Sequence, residues 1–174
     1  MRIPNELLKL VVFICGTSEQ RRTCDCTGFM VGVRSALFPE HVASCYLVTA
    51  ADCVRHRKRL TARLNLRNGR AEHVPLSDQW LFQDDLAVDV AVLPFEPPPD
   101  RFDHSPIPSE MFALSPVISE LGIGPGDDLV MVGLVTRVPG RAKNIPITRV
   151  GSIAAMPTEP FLDEHKHSFD AYLA

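Results

Sequence analysis

The sequence predicts an all-β protein. Apolar residues come mostly in short runs bounded by Gly, Pro, Asp and Asn, which is the pattern of strands between turns. No long amphipathic helical pattern interrupts these runs, and a proline-rich string at 94–108 divides them into two groups. Two strand groups joined by a stiff connector suggest two barrels or sandwiches packed side by side.

The size and composition of the chain allow a buried core. Its 174 residues are enough for one large domain or two small ones. Hydrophobic residues make up 45% of the chain and charged residues 22%, which argues against disorder. The formal net charge of -3 argues against a nucleic-acid partner. No apolar run approaches the roughly 18 to 20 residues needed to cross a bilayer, so we expect no membrane-spanning segment.

The first strand group contains five apolar strings. The clearest is "LTARLNL", where apolar and polar residues alternate from Leu60 to Leu66 with the period of a half-buried strand. Near the N-terminus, "LLKLVVFICG" has the length of a secretory h-region, but no small-x-small cleavage pattern follows, so we expect a buried first strand there. That first strand is "KLVVFIC". The other predicted strands of this group are "TGFMVGV", "CYLVTA" and "VDVAVLPF".

The connector and the second strand group complete the predicted architecture. The string "PFEPPPDRFDHSPIP" carries six of the fifteen prolines, which predicts an extended linker. After it, "DLVMVGLV" and "IPITRVGSIAAM" predict two further strands. We therefore divide the chain into a first β-barrel over residues 1–100 and a second over residues 101–174.

The five cysteines, at positions 15, 24, 26, 45 and 53, leave at least one thiol unpaired in a monomer. Cys24 and Cys26 are too close for a C-x-x-C redox or zinc pair, and no second ligand pair stands at metal-site spacing. We interpret "HKH" at 165–167 as a solvated loop rather than a weak metal site. We therefore expect free thiols, no metal, no cofactor and a cytoplasmic protein, with a secreted or periplasmic location as the alternative.

Five strings occur in an order that resembles a known family. They are "CTGFMVGV", "YLVTAADCV", "DVAVLPF", "GPGDDLVMVGL" and "RVGSIAAMP". In this order, over residues 9 to 156, the chain is similar to trypsin-like serine peptidases of the chymotrypsin fold, and the bacterial members look most similar. The resemblance implies a trypsin-like double β-barrel.

The family's chemistry uses a serine to attack, an imidazole to take its proton and a carboxylate to orient the imidazole. The resemblance places Asp89 at the orienting-carboxylate position and Asp52 at the histidine position. An ionised carboxylate only accepts hydrogen bonds, so Asp52 cannot donate to Asp89 as an imidazole would. We expect the two side chains to face each other across one end of the first barrel. We interpret His56, in "RHRKR", as part of a solvated basic face and not as a substitute base.

The resemblance also shows what is missing. No Gly-x-Ser-Gly-like string is present, and Ser168 lacks flanking glycines, so we interpret it as a loop residue and regard the nucleophile as absent. In the family's order the serine loop and closing strands would follow "RVGSIAAMP", so we expect a second barrel that lacks its final strands. Cys26 and Cys53 stand where secreted members pair two cysteines, and they would be the bonded pair in an oxidising compartment.

The sequence therefore predicts a degenerate or truncated trypsin-like serine peptidase that is inactive and retains at most a cleft for a peptide or protein. An alternative is the N-terminal part of a functional serine endopeptidase whose serine-bearing segment lies elsewhere. A third is an unrelated β-barrel module that binds a ligand in an apolar lumen and does not bring positions 52 and 89 together. An incomplete second barrel also predicts a strand-adding partner or self-association at its open edge.

Overall fold

A computed structural model describes residues 2–18, 21–35, 42–85, 88–135, 140–157, 161–162, 168–169 and 174, with the backbone alone given for ten of the strand residues. Strands make up 42% of the structure and helices 12%, so the predicted all-β class is confirmed. None of the described sheets closes into a barrel. Within the same residues, no helix combines the length and apolar character needed to span a membrane.

Every strand predicted from an apolar string overlaps an observed strand. The strands are β1 (Val11–Ser18), β2 (Arg21–Arg34), β3 (Val42–Thr49), β4 (Thr61–Asn65), β5 (Ala71–Pro75), β6 (Leu81–Phe82), β7 (Ala91–Pro94), β8 (Ile107–Pro108), β9 (Asp128–Gly133), β10 (Ile147–Ser152), β11 (Phe161–Leu162) and β12 (Ser168–Phe169). The helices are α1 (Asn5–Leu8), α2 (Ser115–Leu121) and the two 3-10 turns Ala51–Cys53 and Ser109–Met111.

The chain forms two compact units. The first contains residues 1–111 and 132–147, and the second contains residues 112–131 and 148–174. These units are defined by contacts and not by barrel closure, so the division into barrels at residue 100 stays a prediction.

The first unit is built on one sheet in the order β5-β4-β1-β2-β3-β7-β6, and β8 pairs with β2 in parallel. All other pairings in this sheet are antiparallel. Its core holds fully buried side chains from neighbouring strands, among them Ile14, Met30 and Leu47. Gly28 allows close packing there, because a Cβ at this position would lie 2.8 Å from Cδ1 of Leu47. The buried first strand is as predicted.

Strand β4 is buried on both faces, and the half-buried prediction for it was wrong. Leu64 faces the core, and Arg63, on the opposite face, is also only 8% exposed. The Arg63 guanidinium donates 2.8 Å to Oδ1 of Asn144 and 3.1 Å to the carbonyl of Gly140. Burial lowers the pKa of Arg63. Residues 140–144 therefore cover a strand face that the alternating pattern assigned to solvent.

The proline-rich connector also packs more closely than predicted. Phe102 is 2% exposed and belongs to the core of the first unit. Its neighbour Asp103 donates its backbone N–H to the carbonyl of Asn65 at 2.8 Å, and Phe102 forms an isolated bridge with Leu66. The interpretation of this segment as a simple extended linker is therefore wrong, because one aromatic side chain anchors it along β4.

The second unit contains α2, most of β9 and β10, and the β11–β12 pair. α2 ends at Gly122, whose φ of 64° is the left-handed conformation that glycine adopts without a steric penalty. Among the described strands, β9 pairs with β10 alone. The carbonyl of Ile153 accepts from the backbone N–H of Gly126 at 2.8 Å. Ser168 lies in β12 and not in a loop, which corrects its interpretation. The "HKH" string lies outside the described residues.

Candidate functional site

The candidate site begins where β3 ends beside the start of β7. The register pairs Thr49 with Ala91, so the residues that follow β3 lie next to those that precede β7. Thr49 is buried, and its hydroxyl donates to the carbonyl of Thr27 at 2.9 Å. The chain then turns through Ala50 into the 3-10 turn Ala51–Cys53. This register brings position 52 close to position 89.

The structure brings Asp52 and Asp89 together. Oδ1 of Asp89 accepts a hydrogen bond from the backbone N–H of Asp52 at 3.0 Å, and both side chains are exposed. The 3-10 turn has no capping side chain of its own, so Asp89 satisfies an N–H that the turn leaves unpaired. The contact joins a carboxylate to a backbone group and is not an interaction of two side chains. A structural role in capping is therefore established for Asp89 by geometry.

Buried neighbours fix the position of Asp52. Ala51 is 1% exposed and Val54 is 3% exposed, and both belong to the core. Cys53 is bonded to Cys26 of β2, with 5.9 Å between the two Cα atoms. Asp52 is therefore an exposed side chain on a turn that is anchored on both sides. This is the arrangement expected of a functional group presented by a rigid support.

Two disulfides correct the expectation of free thiols. Besides Cys26–Cys53, which the resemblance implies for an oxidising compartment, the structure contains a Cys15–Cys24 bridge. Cys45 is the free cysteine, and it is buried. Burial, assisted by the charge of Glu96, raises the pKa of the Cys45 thiol to about 11, so this thiol is not a nucleophile near neutral pH.

A β-bulge makes both bridges possible. Ile14 pairs with Cys26 and Cys15 pairs with Cys24, so Asp25 is the extra residue. In a regular strand, residues two apart share one face, but the bulge turns Cys24 and Cys26 to opposite faces. Cys26 then lies on the core face, and Cys24 reaches Cys15. Sequence spacing alone carried no signal of this shift.

An apolar cleft that sequence reasoning missed lies beside Asp89. It encloses about 420 Å³ and is lined by β6, β7 and the residues that lead into β7. The Arg55 guanidinium lies over the ring of Phe82, 5.2 Å from its centre, and so joins the turn that carries Asp52 to β6. The available signal was the alternation of valines around Asp89 in "VDVAV". The lining side chains are Leu81, Phe82, Gln83, Val88, Val90 and Val92.

His56 belongs to a different cavity. It is exposed and lines a space of about 670 Å³ together with the basic run Arg57–Arg59 and residues of β1 and β2. Arg57 forms an ion pair with Asp25 in this cavity. Within the part of the chain that the structure describes, the His56 side chain forms no hydrogen bond or ion pair. Its placement agrees with a solvated basic face.

The site offers acceptors and apolar surface, and it lacks the groups of a proton relay. Asp52 and Asp89 supply carboxylate oxygens, which accept hydrogen bonds and attract cations but do not pass a proton between partners as an imidazole does. Among the described residues, no histidine contacts either carboxylate. The arrangement is suited to holding an N–H donor or a basic side chain next to an apolar group.

No protein-family model matches the chain, and a search of curated proteins finds no match. The assignment of a role to this site therefore depends on the geometry of the chain itself.

Proposed function

We propose that this chain is a non-catalytic protein of the trypsin-like, double-barrel type that binds an extended peptide beside Asp52 and Asp89. The observation that carries the proposal is the 3.0 Å hydrogen bond from the Asp52 backbone to the Asp89 carboxylate. It joins the two positions that resemble the catalytic histidine and its orienting carboxylate. The Cys26–Cys53 bridge, at positions that resemble a bonded pair of secreted members, adds support.

Binding is favoured over hydrolysis by the residue types at the site. A carboxylate at position 52 cannot take a proton from a nucleophile while donating to Asp89, and a nucleophilic serine in a glycine-rich loop is absent from the sequence. The same two carboxylates attract backbone N–H groups and basic side chains. The role of the site is thus recognition and not bond cleavage.

The edge of the first unit's sheet suggests how the peptide binds. β6 is the last strand of the described sheet and is two residues long, so one side of its backbone faces away from β7. An extended peptide can add to such an edge through main-chain hydrogen bonds, while alternate side chains enter neighbouring pockets. The cleft around Leu81, Val88 and Val90 is apolar; Asp89 does not line it but lies between the two valines in sequence. The preferred peptide therefore carries an apolar residue near a basic one.

The cysteine chemistry supports a location in an oxidising compartment. The structure contains two disulfides, and disulfides form and persist in oxidising environments outside the cytoplasm. We therefore favour the secreted or periplasmic alternative over the cytoplasmic one. An unrelated ligand-binding barrel is less well supported, because it predicts that positions 52 and 89 stay apart, whereas the Asp89 carboxylate accepts from the backbone N–H of Asp52.

Peptide binding is tested with a matched pair of leucine variants. Leu81 lines the cleft and is 58% exposed, and Leu121, in the second unit, is 69% exposed. The best ligand from an array of short synthetic peptides is labelled and titrated by fluorescence anisotropy. Leu81→Ala is expected to weaken binding by about tenfold, the effect of losing a partly buried apolar contact. Leu121→Ala should bind as the unchanged chain does, and equal losses in both variants would contradict the proposed cleft.

The absence of catalysis is tested with an active-site probe. The purified chain should not hydrolyse general peptide or ester substrates above the buffer rate, and a fluorophosphonate should label no serine. Asp52→His alone should leave the chain inactive, because a nucleophile is still missing. Stoichiometric labelling of any serine would refute the non-catalytic assignment.

A further inference from the structure

Two sulfurs and an imidazole meet on one face of the first unit's sheet. The Sγ atoms of Cys15 and Cys24 and one ring nitrogen of His73 all lie within 4.8 Å of one another. Among the residues that the structure describes, no other three His, Cys, Asp or Glu side chains bring their ligand atoms this close together. The three residues come from β1, β2 and β5, so the fold and not the local sequence brings them together.

The two sulfurs are bonded to each other, and in this state they are poor metal ligands. A dithiol reductant opens such a bridge by breaking the S–S bond. Two electrons and two protons pass to the protein sulfurs, and the dithiol closes to its own disulfide. We propose that the reduced form of this cluster binds one Zn²⁺ through Cys15, Cys24 and His73, and that the metal displaces the two thiol protons.

The geometry of the cluster suits zinc. Tetrahedral Zn–S bonds of about 2.3 Å hold two thiolate sulfurs roughly 3.8 Å apart, so the two sulfurs must move apart by side-chain rotation after the bridge is reduced. Cys15 and Cys24 are direct partners in the β1–β2 register with Cα atoms 4.0 Å apart, so both side chains stay on one face without the bridge. Thr61 Oγ1 lies 3.1 Å from Nδ1 of His73 and holds the ring, as outer-sphere hydrogen bonds do for metal-binding imidazoles.

The ligand set selects the class of metal. Two thiolates and one imidazole favour Zn²⁺ over Mg²⁺ or Ca²⁺, which prefer oxygen ligands. Three protein ligands leave a fourth position for water. Cys15 is fully buried, whereas Cys24 and His73 are partly exposed, so an ion reaches the cluster from their side.

The second disulfide provides a control within the same chain. Cys26 lies in the core at 7% exposure, and the Cys26–Cys53 pair has no third ligand of this kind among the described residues. Reduction therefore creates two thiol pairs, of which one has a histidine in reach. The consequence is that a covalent bond joins β1 and β2 under oxidising conditions, whereas a metal ion would join β1, β2 and β5 under reducing ones.

The experiment compares metal binding by oxidised and reduced protein. The full chain is reduced with a phosphine, freed of the reductant under nitrogen and titrated with Co²⁺, whose thiolate charge-transfer band reports coordination. Zn²⁺ is then added to displace the cobalt. The reduced chain should bind one Co²⁺ tightly, and the oxidised chain should show no such band. His73→Ala should weaken binding by at least about tenfold, and His56→Ala should not change it.

Paired cysteine variants identify the thiols. Cys15→Ser with Cys24→Ser should abolish the cobalt band, while Cys26→Ser with Cys53→Ser should retain it. Equal binding by the two double variants, or full binding by His73→Ala, would overturn the proposal. Circular dichroism accompanies each titration, and a reduced chain that is unfolded and that Zn²⁺ fails to refold would also overturn it. Cys15, Cys24 and His73 lie outside the proposed peptide site, so a negative result at this cluster leaves peptide binding unaffected.

Discussion

Leu47 and Leu121 show that the two units bury leucine side chains to very different extents. Leu47, in the first unit, is 0% exposed, and Leu121, in the second, is 69% exposed. The contrast extends to whole units, because all but one of the described buried apolar residues belong to the first unit, the exception being Ile153. The large apolar side chains that the second unit exposes are Phe112, Leu114, Val117, Leu121, Met131 and Val150.

Apolar strings make strands, but they do not by themselves make a core. The string that forms β9, "DLVMVGLV", has six apolar residues in eight, close to the six in seven of "KLVVFIC" in β1. The first unit joins its strands in one large sheet, whereas β9 and β10 form a sheet of two. A two-stranded sheet buries little surface and is marginally stable by itself.

The largest expected effect is on amide hydrogen exchange. Amides of β9 and β10 should exchange about a thousandfold or more faster than those of β1 and β3, because the second unit can open without disrupting the core. Exchange measured by mass spectrometry on the monomer at low concentration checks this. A partner or second copy that adds a strand should slow exchange in β9 and β10 alone. Equal protection in both units of an isolated monomer would show that the second unit is stable as it is.

The second prediction compares the same substitution in each unit. Leu47→Ala removes a fully buried side chain and should lower the free energy of unfolding by about 2 to 4 kcal/mol. Leu121→Ala should change it by less than about 0.5 kcal/mol, since an exposed side chain leaves no cavity. Urea denaturation of both variants supplies the comparison. A large loss for Leu121→Ala would mean that this residue is covered in solution.

Local patterns predicted the strands, and the reason is physical. Short apolar runs between turn residues have few alternatives to a strand, so every predicted strand overlaps an observed one. The family resemblance predicted that the side chains of Asp52 and Asp89 face each other; the two positions do meet, but the Asp89 carboxylate contacts the backbone N–H of Asp52. Periodicity alone could not have done so, because that contact depends on the register between β3 and β7.

What could not be predicted depends on long-range packing. The bulge at Asp25 decides which face Cys24 takes, and nothing in the spacing of the cysteines reveals it. Burial of Arg63 follows from its contact with Asn144, which is distant in sequence. Burial of Phe102 was hidden by the proline-rich composition around it. In each case one distant contact overrides a local pattern.

The third prediction tests whether the segment around Asn144 belongs to the first unit. Asn144 is 2% exposed; its side-chain oxygen accepts from Arg63 at 2.8 Å and its amide donates to the Arg63 carbonyl at 2.6 Å. Asn144→Ala leaves a buried guanidinium without this acceptor and should cost about 2 kcal/mol of stability. Denaturant titration measures the loss.

A second asparagine provides the control for that substitution. Asn68 is exposed, and its side-chain oxygen accepts from the backbone N–H of Arg70 in a turn. Asn68→Ala should cost no more than about 0.5 kcal/mol. If Asn144→Ala were equally mild, residues 140–147 would not be fixed on β4 in solution. The boundary between the two units would then lie elsewhere.

The smallest expected effect is a pH dependence that arises from Cys45. Burial first, and then the charge of Glu96, raise the pKa of this thiol from its ordinary 9.0 to about 11. The folded state therefore holds the proton more tightly than the unfolded state. The resulting stability is fully present below pH 9.0 and is lost as the pH rises through about 11.

The thiolate absorbance of the native chain, taken as the difference from Cys45→Ala after a rapid pH jump, measures this titration. All five cysteines belong to the first unit, and Cys45 is the free one, so the signal reports on that unit alone. A midpoint near 11 would show that the first unit stays closed at alkaline pH, even where β9 and β10 exchange freely. A titration midpoint near 9.0 would mean that water reaches Cys45. The first unit would then be open at alkaline pH, and the contrast between a closed first unit and an open second unit would be wrong.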